Sequence, residues 1–201
     1  KIPMPRITLA LATVLSLAFT PLAAQDWNDG IDAYKAGDFT KALQDWLPLA
    51  ENGHVRAQAM IGIMFSLGQG VSVDETEAFR WYLQAANNGN STAQAKVGFR
   101  YLNGIGIEAD YSEAWKWSRL AARQGEVESF TTLGAMYQFG KGSIQDYKLA
   151  HMWYNLASAK GNEYGAQLRD ELVSWMTFED ISKAQDLAVQ CQNSGYQKCA
   201  Y

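Results

Sequence analysis

Apolar and polar positions recur along this chain with a period of 36 residues. Residues 57–86, 93–122 and 129–158 align without a gap. Each of these units contains two stretches in which apolar or small residues follow helical spacing, such as Ala57, Ile61 and Phe65 in the first stretch of the first unit. A fixed period of this size is typical of stacked repeats, so the pattern predicts an all-α solenoid.

Glycine and aspartate stand at fixed places inside each unit. Gly68 and Gly70 end the first helical stretch, because glycine readily supplies positive φ at a helix C-terminus. Asp74 then precedes Glu77 by three residues, which is the spacing of a capping box at a helix start. The third unit keeps the aspartate, Asp146, but lacks the glutamate, so we expect only a simple cap there.

Two further positions indicate how the helices pack. A glycine inside the first helix of each unit, such as Gly62, costs roughly 1 kcal/mol against alanine. We interpret it as a point where a neighbouring helix approaches too closely for a side chain. Trp81, Trp117 and Trp153 lie on the apolar stripe of the second helix. Ligand stacking is the alternative for these tryptophans, but we expect them to pack between helices.

The pattern Ala-x3-Leu-Gly-x2-Tyr-x2-Gly-x-Gly-x3-Asp-x3-Ala-x2-Trp-x3-Ala-Ala resembles the Sel-one-like repeat (SLR), a branch of the tetratricopeptide (TPR) repeat superfamily. Three copies match almost position by position, and partial copies extend the resemblance from about residue 27 to residue 190. The resemblance implies about five antiparallel helix pairs stacked into a right-handed superhelix, in a protein of the secreted or periplasmic type. It implies little about function, because these repeats serve as binding scaffolds for many partners.

We divide the chain into five parts. The opening helix pair lacks the Gly-x-Gly turn, as expected for a terminal repeat whose outer face meets water. The stretch MTFEDISKAQDLA resembles the C-terminal cap of many secreted Sel-one-like proteins, with Thr177 opening its helix and Asp180 in capping-box position. The tail is expected to be a turn followed by a loose end. The parts are a signal peptide (1–24), a TPR-like helix pair (25–53), three 36-residue Sel-like repeats (54–161), C-terminal capping helices (162–192) and a tail (193–201).

The first 24 residues have the build of a secretory signal peptide. Lys1 and Arg6 precede an uncharged apolar run of 13 residues from Ile7 to Phe19. This run is short for a membrane span, so we expect cleavage near Ala24, with an uncleaved anchor helix as the alternative. The pattern predicts an exported protein, periplasmic or secreted, whose mature chain makes no stable membrane insertion.

The charge balance argues against two classes of partner. The chain has 17 basic and 21 acidic residues, a net charge of −4, and removal of Lys1 and Arg6 with the signal peptide would leave 15 and 21, a net charge of −6. An acidic chain without a basic run lacks the electrostatic footprint of a nucleic-acid-binding protein or of one that binds an anionic membrane surface.

Both cysteines, Cys191 and Cys199, lie after the last repeat and eight residues apart. In an oxidising compartment such a pair can form a disulfide, which we expect here. The enclosed loop is short, so the gain in stability would be about 2–3 kcal/mol. No histidine lies near them in sequence, so metal binding is not expected.

The chain shows no motif for catalysis or for a cofactor. His54 stands at the start of a helix, and His151 occupies the repeat position of Phe79 and Trp115, so we expect it to be a packing residue. Two isolated histidines do not make a metal site without help from carboxylates. Gly-x-Gly here follows a helix rather than a strand, which excludes a phosphate-binding loop. We therefore predict no catalytic residue, no metal and no cofactor.

Two classes of function remain. The first is a non-enzymatic scaffold for protein–protein interaction in the cell envelope or secreted space. The second is a secreted enzyme acting on β-lactam or peptidoglycan-like substrates, because some cysteine-rich secreted relatives have been described as binding or hydrolysing penicillin-type compounds. Those relatives carry a cysteine pair in each repeat, and this chain has no cysteine in its repeats. We therefore favour the scaffold.

The partner is expected in the concave groove, which the first helix of each pair lines in tetratricopeptide-type stacks. Positions on the side of that helix opposite the packing glycine should face the groove. Their mixture of apolar and polar side chains suits an extended or helical peptide with hydrophobic side chains. Burial of the apolar members between neighbouring helices is the alternative. The predicted groove residues are Arg56, Ile63, Leu67, Thr92, Phe99, Leu102, Asn103, Glu128, Gln138 and Phe139.

Overall fold

The computed structural model of the protein describes residues 27–199. In that range the chain forms α-helices and one short 3-10 helix, and it contains no strand. The predicted signal peptide lies outside the described residues. The helices are α1 (Trp27–Lys35), α2 (Phe39–Glu51), α3 (Val55–Leu67), α4 (Glu75–Asn87), α5 (Ser91–Asn103), α6 (Tyr111–Arg123), α7 (Val127–Phe139), α8 (Tyr147–Ala159), α9 (Glu163–Leu172), the 3-10 helix (Val173–Trp175) and α10 (Phe178–Asn193).

The helices repeat with the period of the sequence. Each of the six helices from α3 to α8 is 13 residues long. The first helices of the three units, α3, α5 and α7, pack against their following partners α4, α6 and α8, and each second helix packs against the next first helix. The prediction of an all-α solenoid of helix pairs is therefore confirmed.

Local capping interactions fix where each helix begins and ends. The carboxylate of Asp74 accepts a hydrogen bond from the backbone N–H of Glu77 at 2.9 Å. Asp146 caps α8 in the same way, with the N–H of Leu149 at 3.0 Å. Gly68 ends α3 in the left-handed conformation, with φ of 67°, which only glycine adopts at little cost. The predicted aspartate caps are confirmed, including the cap without a glutamate in the third unit. The reciprocal bond of a capping box is not formed, because the N–H of Asp74 donates to the carbonyl of Phe65.

The glycines inside the first helices are contact points between helices. A Cβ atom on Gly62 would lie 2.8 Å from a ring carbon of Tyr82 in α4. A Cβ atom on Gly134 would collide with the ring of Tyr154 in α8. The first and second helices of a unit therefore approach as closely as the sequence predicted. An aromatic ring of the partner helix fills the space in the first and third units, and Ser118 fills it beside Gly98 in the second.

The turn after α5 touches the preceding repeat. A Cβ atom on Gly106 would collide with the backbone carbonyl oxygen of Glu75 in the first turn of α4. The turn after α3 approaches α2 in the same way, because Gly70 lies against the backbone of Phe39. These contacts fix successive repeats relative to each other, and they place the first turn of α4 beside α5.

The core is a strip that runs between neighbouring helices. The three aligned tryptophans Trp81, Trp117 and Trp153 are all buried, which confirms their packing role. His151 is 1% exposed and is likewise a packing residue, as predicted. His54 instead caps α3, because its Nδ1 accepts a hydrogen bond from the N–H of Ala57 at 3.1 Å.

The C-terminal cap consists of two helices joined by a short 3-10 helix. The first of them, α9, ends at Leu172, and the 3-10 helix follows at once. Thr177 opens α10 as predicted, and its hydroxyl accepts a hydrogen bond from the N–H of Asp180 at 3.1 Å. Both α9 and α10 pack against α8 and so cover the last full repeat.

As far as Cys199, the tail is not the loose end that the sequence suggested. Cys191 and Cys199 are joined in a disulfide, which closes the loop that follows α10. Inside this loop the ring of Tyr196 lies 5.1 Å, centroid to centroid, from the ring of Phe130 in α7. The side chain of Gln197 donates a hydrogen bond to the backbone carbonyl of Arg123 at 2.9 Å. The closed loop thus folds back onto the third repeat.

Candidate functional site

One face of the solenoid carries two neighbouring depressions between the first helices of the repeats. The first depression has a volume of about 360 Å³ and lies between α3 and α5. It is lined by Ile63, Ser66, Leu67, Glu75, Tyr82, Lys96, Phe99, Arg100, Ile105 and Glu128.

The second depression has a volume of about 220 Å³ and lies where α5, α7 and α9 meet. None of its lining residues is an aspartate, glutamate, lysine or arginine. Phe99 lines both depressions and therefore separates them. The second depression is lined by Phe99, Leu102, Asn103, Thr131, Thr132, Ala135, Phe139, Tyr154, Tyr164 and Leu168.

A buried arginine forms one wall of the first depression. Arg100 is 5% exposed, and its guanidinium donates hydrogen bonds to the Glu75 carboxylate at 2.6 Å and to the Ser66 hydroxyl at 2.7 Å. Its guanidinium carbon lies 5.1 Å from the centroid of the Tyr82 ring. These contacts join the second repeat to the first through two charge-assisted hydrogen bonds of the arginine.

Tyr82 contributes a neutral hydroxyl to this wall. Burial raises the pKa of Tyr82 to about 12, and the positive charge of Arg100 only partly opposes this effect. The phenol therefore keeps its proton at any pH at which the protein would work, and it can donate or accept a hydrogen bond.

A second ion pair crosses from α5 to α7. The ammonium of Lys96 lies 2.8 Å from the carboxylate of Glu128, and about a third of each side chain is exposed. Together with the pair between Arg100 and Glu75, it balances the four charges that line the first depression. The first depression thus has a polar rim without net charge, whereas the second is neutral throughout.

Seven of the predicted groove residues line these depressions. Phe99 is 39% exposed, and Leu67 and Phe139 are 61% and 63% exposed, so these large apolar side chains lie at the surface. Leu102 is 6% exposed, so for this residue the alternative of burial between helices describes the structure better. The seven are Ile63, Leu67, Phe99 and Glu128 in the first depression, and Leu102, Asn103 and Phe139 beside Phe99 in the second.

Three predicted groove residues do not line either depression. Arg56 and Thr92 are exposed near the starts of α3 and α5, where the Thr92 hydroxyl donates a hydrogen bond to Glu126 at 3.0 Å. Gln138 is buried, and its side-chain oxygen accepts a hydrogen bond from the Tyr154 hydroxyl at 2.6 Å. This burial argues against the groove assignment for Gln138, because a buried tyrosine hydroxyl needs a partner and this glutamine supplies it.

Sequence reasoning found Glu128 but missed the other three charged residues that line the first depression, Glu75, Lys96 and Arg100. Arg100 occupies the repeat position of Met64 and Met136, both of which are fully buried. A charge at a position that is apolar in the other copies was therefore the available signal. No comparable signal existed for Lys96 or Tyr164, because their positions vary between the repeats.

No group of three histidine, cysteine or carboxylate side chains within residues 27–199 is placed to hold a metal ion. Burial lowers the pKa of His151, and the charge of Arg169 lowers it further. None of the helices described here is both long and apolar enough to cross a membrane.

Comparison with solved structures finds the same architecture in bacterial proteins. A protective antigen present in uropathogenic Escherichia coli strains, which displays an SLR fold, is 32% identical with a TM-score of 0.64. That match covers 70% of this chain and 32% of the antigen, so this chain spans about a third of that structure. A Sel1 repeat protein from Oxalobacter formigenes is 28% identical with a TM-score of 0.65, over 86% of this chain and 78% of that one. No curated protein gives a significant match.

The repeats themselves match a family model. The model of the Sel1 repeat matches residues 55–90, 91–126 and 133–162, which together make up 102 of the 201 residues. These ranges contain the inter-helix glycines Gly62, Gly98 and Gly134 and, apart from residues 127–132 of α7, the helix pairs from α3 to α8. The chain therefore belongs to the Sel1 repeat family.

Proposed function

We propose that this protein is a non-enzymatic scaffold that binds a partner protein or peptide in the groove formed by the two depressions. Sel1 repeats generally serve protein interaction. The observation that carries the proposal is the pair of adjoining depressions whose walls expose Phe99 and Phe139. Exposed apolar patches of this kind, with a polar rim, mark interaction sites.

The charges in the groove support binding rather than catalysis. The carboxylates of Glu75 and Glu128 are each paired with a basic side chain of the same depression. Both carboxylates are thus engaged with cations of the protein itself and present no unpaired acid or base to a ligand. The groove thus presents shape and apolar surface to a ligand.

We place the protein in the cell envelope or the secreted space. The basic start, apolar run and small residues before Ala24 support export, and the disulfide of Cys191 and Cys199 suits an oxidising compartment. N-terminal sequencing of the mature protein tests this proposal. A mature chain starting near Gln25 supports it, whereas an intact Lys1 in a membrane fraction contradicts it.

The groove proposal is tested by affinity capture with crosslinking from the native compartment, with the wild-type chain beside Phe99→Ala. Removing this central aromatic should weaken partner binding by about 1–3 kcal/mol. The melting temperature should change little, because the side chain is already 39% exposed. Ile144→Ala is the matched control, since Ile144 is 89% exposed but lines neither depression.

Two outcomes would contradict the proposal. Equal capture by the wild-type chain and Phe99→Ala would show that the partner binds elsewhere, and a collapsed melting temperature would show that Phe99 is a core residue. Turnover of a β-lactam by the native but not by the heat-denatured protein would favour the enzymatic alternative instead.

A further inference from the structure

Resting on the proposed function, we propose that the partner is a basic, extended peptide segment that inserts two neutral bulky apolar side chains into the groove. One side chain enters each depression, and Phe99 lies between them. This assignment follows from the different linings of the two depressions, from their separation and from the charge of the chain.

The second depression admits only an uncharged side chain of the peptide. We call each of the two inserted side chains an anchor. Its lining contains no ionisable carboxylate or basic group, so a charged side chain buried there would lose water without gaining a partner. Thr131 and Ala135 are small and leave room, while Phe139 and Tyr164 are large and exposed, 63% and 62% respectively. A bulky aliphatic or aromatic side chain would pack against these two rings.

The first depression also favours a neutral anchor, for a different reason. Its two cations and two anions already satisfy each other, with ion-pair distances of 2.6 Å for Arg100 to Glu75 and 2.8 Å for Lys96 to Glu128. A charged ligand group would meet both signs at once, so its attraction to one member of each pair would be offset by repulsion from the other. An apolar side chain can instead contact Ile63 and the surrounding rim without disturbing either pair.

The spacing of the depressions favours an extended segment. They lie on the two sides of α5, and packed helices are separated by about 8–10 Å, so the two anchors should be about that far apart. In the polyproline II conformation, side chains three residues apart point the same way and are separated by about 9 Å. We therefore expect the anchors three positions apart.

Charge complementarity favours a basic partner. The protein carries a net charge of −4, and the groove itself is balanced, so long-range attraction acts on lysine and arginine residues that flank the anchors. Such attraction raises the association rate and is screened at high ionic strength. An acidic segment with the same anchors would be repelled by the protein as a whole.

The experiment is selection of a random peptide library on the full chain, followed by affinity measurement with synthetic versions of the enriched peptides. We expect two enriched positions with large neutral side chains, three residues apart, and lysine or arginine beside them. Phe139→Ala should remove the preference at one anchor only and should weaken binding about 10-fold. Ile144→Ala, which changes an exposed apolar residue outside the groove, should retain both preferences and the affinity.

The possible results separate this inference from the proposed function. Peptides with a single anchor, with charged anchors, with acidic flanks or with anchors seven apart as on a helix would overturn the inference while leaving groove binding intact. If Phe139→Ala kept the preference at both anchor positions, the inference would likewise be overturned and groove binding would stand. Failure of every peptide to bind above background would contradict the inference and the proposed groove function together.

Discussion

The buried arginine of the first depression provides a sharp test of what stabilises the junction between the first two repeats. Arg100→Met replaces the arginine with the residue found at the same place in the other two repeats, Met64 and Met136. Glu75→Ala instead keeps the arginine and removes its charged partner. We expect the first variant to be nearly neutral and the second to be clearly destabilising.

The expected changes in the free energy of unfolding follow from how deeply the ion pair of Arg100 and Glu75 is buried. Removing one partner of a buried ion pair costs about 3–5 kcal/mol, because it leaves an uncompensated charge. The side chain of Glu75 is 38% exposed, so water can reach part of the guanidinium, and we reduce the expected cost to about 1–3 kcal/mol. Replacing the whole interaction with a packed methionine should change the unfolding free energy by less than about 1 kcal/mol or raise it.

Urea denaturation followed by circular dichroism at the helical band measures these differences. Unfolding of a repeat stack can lose cooperativity, so the midpoints are compared only if the slopes of the transitions agree. Glu77→Ala is the matched control, because Glu77 also lies in the first turn of α4 but pairs with the exposed side chain of Arg80. That variant should lose no more than about 1 kcal/mol.

The double variant completes the test. In the Arg100→Met background, Glu75→Ala should lower the free energy of unfolding no more than the control Glu77→Ala does. The coupling energy between Arg100 and Glu75 should therefore be about 1–3 kcal/mol. If Arg100→Met alone destabilises the chain as strongly as Glu75→Ala, the ion pair is itself a net source of stability and our reasoning is wrong.

Three further predictions concern packing, acidity and the tail. Gly134→Ala should lower the melting temperature, because overpacking against the Tyr154 ring costs about 1–3 kcal/mol. Since burial and then Arg169 lower the pKa of His151, this residue contributes stability above the unfolded pKa of 6.5 that is lost as the pH falls below it. His151→Phe should therefore reduce the loss of stability between neutral and mildly acidic pH. Cys191→Ser should cost about 2–3 kcal/mol in chemical denaturation.

Each of these predictions has an outcome that contradicts it. An unchanged melting temperature in Gly134→Ala would show that the helices can separate at no cost. If the wild type and His151→Phe lost the same stability between neutral and mildly acidic pH, groups other than His151 would be responsible for that loss. For the tail, the reduced wild type should match Cys191→Ser, and intact mass should show two free thiols only after reduction. Free thiols in protein taken from its native compartment would contradict the predicted disulfide.

The helix pairs were predictable because their signals are local and repeated. Gly68 and Asp74 each act on the turn that contains them, and the same signals recur 36 residues later. The different exposure of Leu102 and Phe139 was harder to predict, because both lie on the groove side of a first helix. Their 6% and 63% exposure depends on which neighbours lie beside them in three dimensions, and the pattern of a single helix does not contain that information.

Contacts between distant parts of the chain also could not be predicted from the sequence. The sequence predicted a turn and a loose end for the tail, yet Tyr196 packs on Phe130 inside the loop that the disulfide closes. Arg100 and Glu75 are 25 residues apart in different repeats, and nothing in the spacing of the motif pairs these two positions. The fold followed from repetition, whereas the chemistry of the groove depends on the residues that break the repetition.

The groove itself is the central claim, and amide chemical-shift mapping tests it most directly. The isotope-labelled full chain is titrated with a peptide selected on it, and the shifted amides are located on the structure. We predict that the largest shifts cluster on α3, α5 and α7 around Phe99 and Phe139. A cluster on α10, or around the exposed Trp175 and Phe178 at the C-terminal end, would contradict the account.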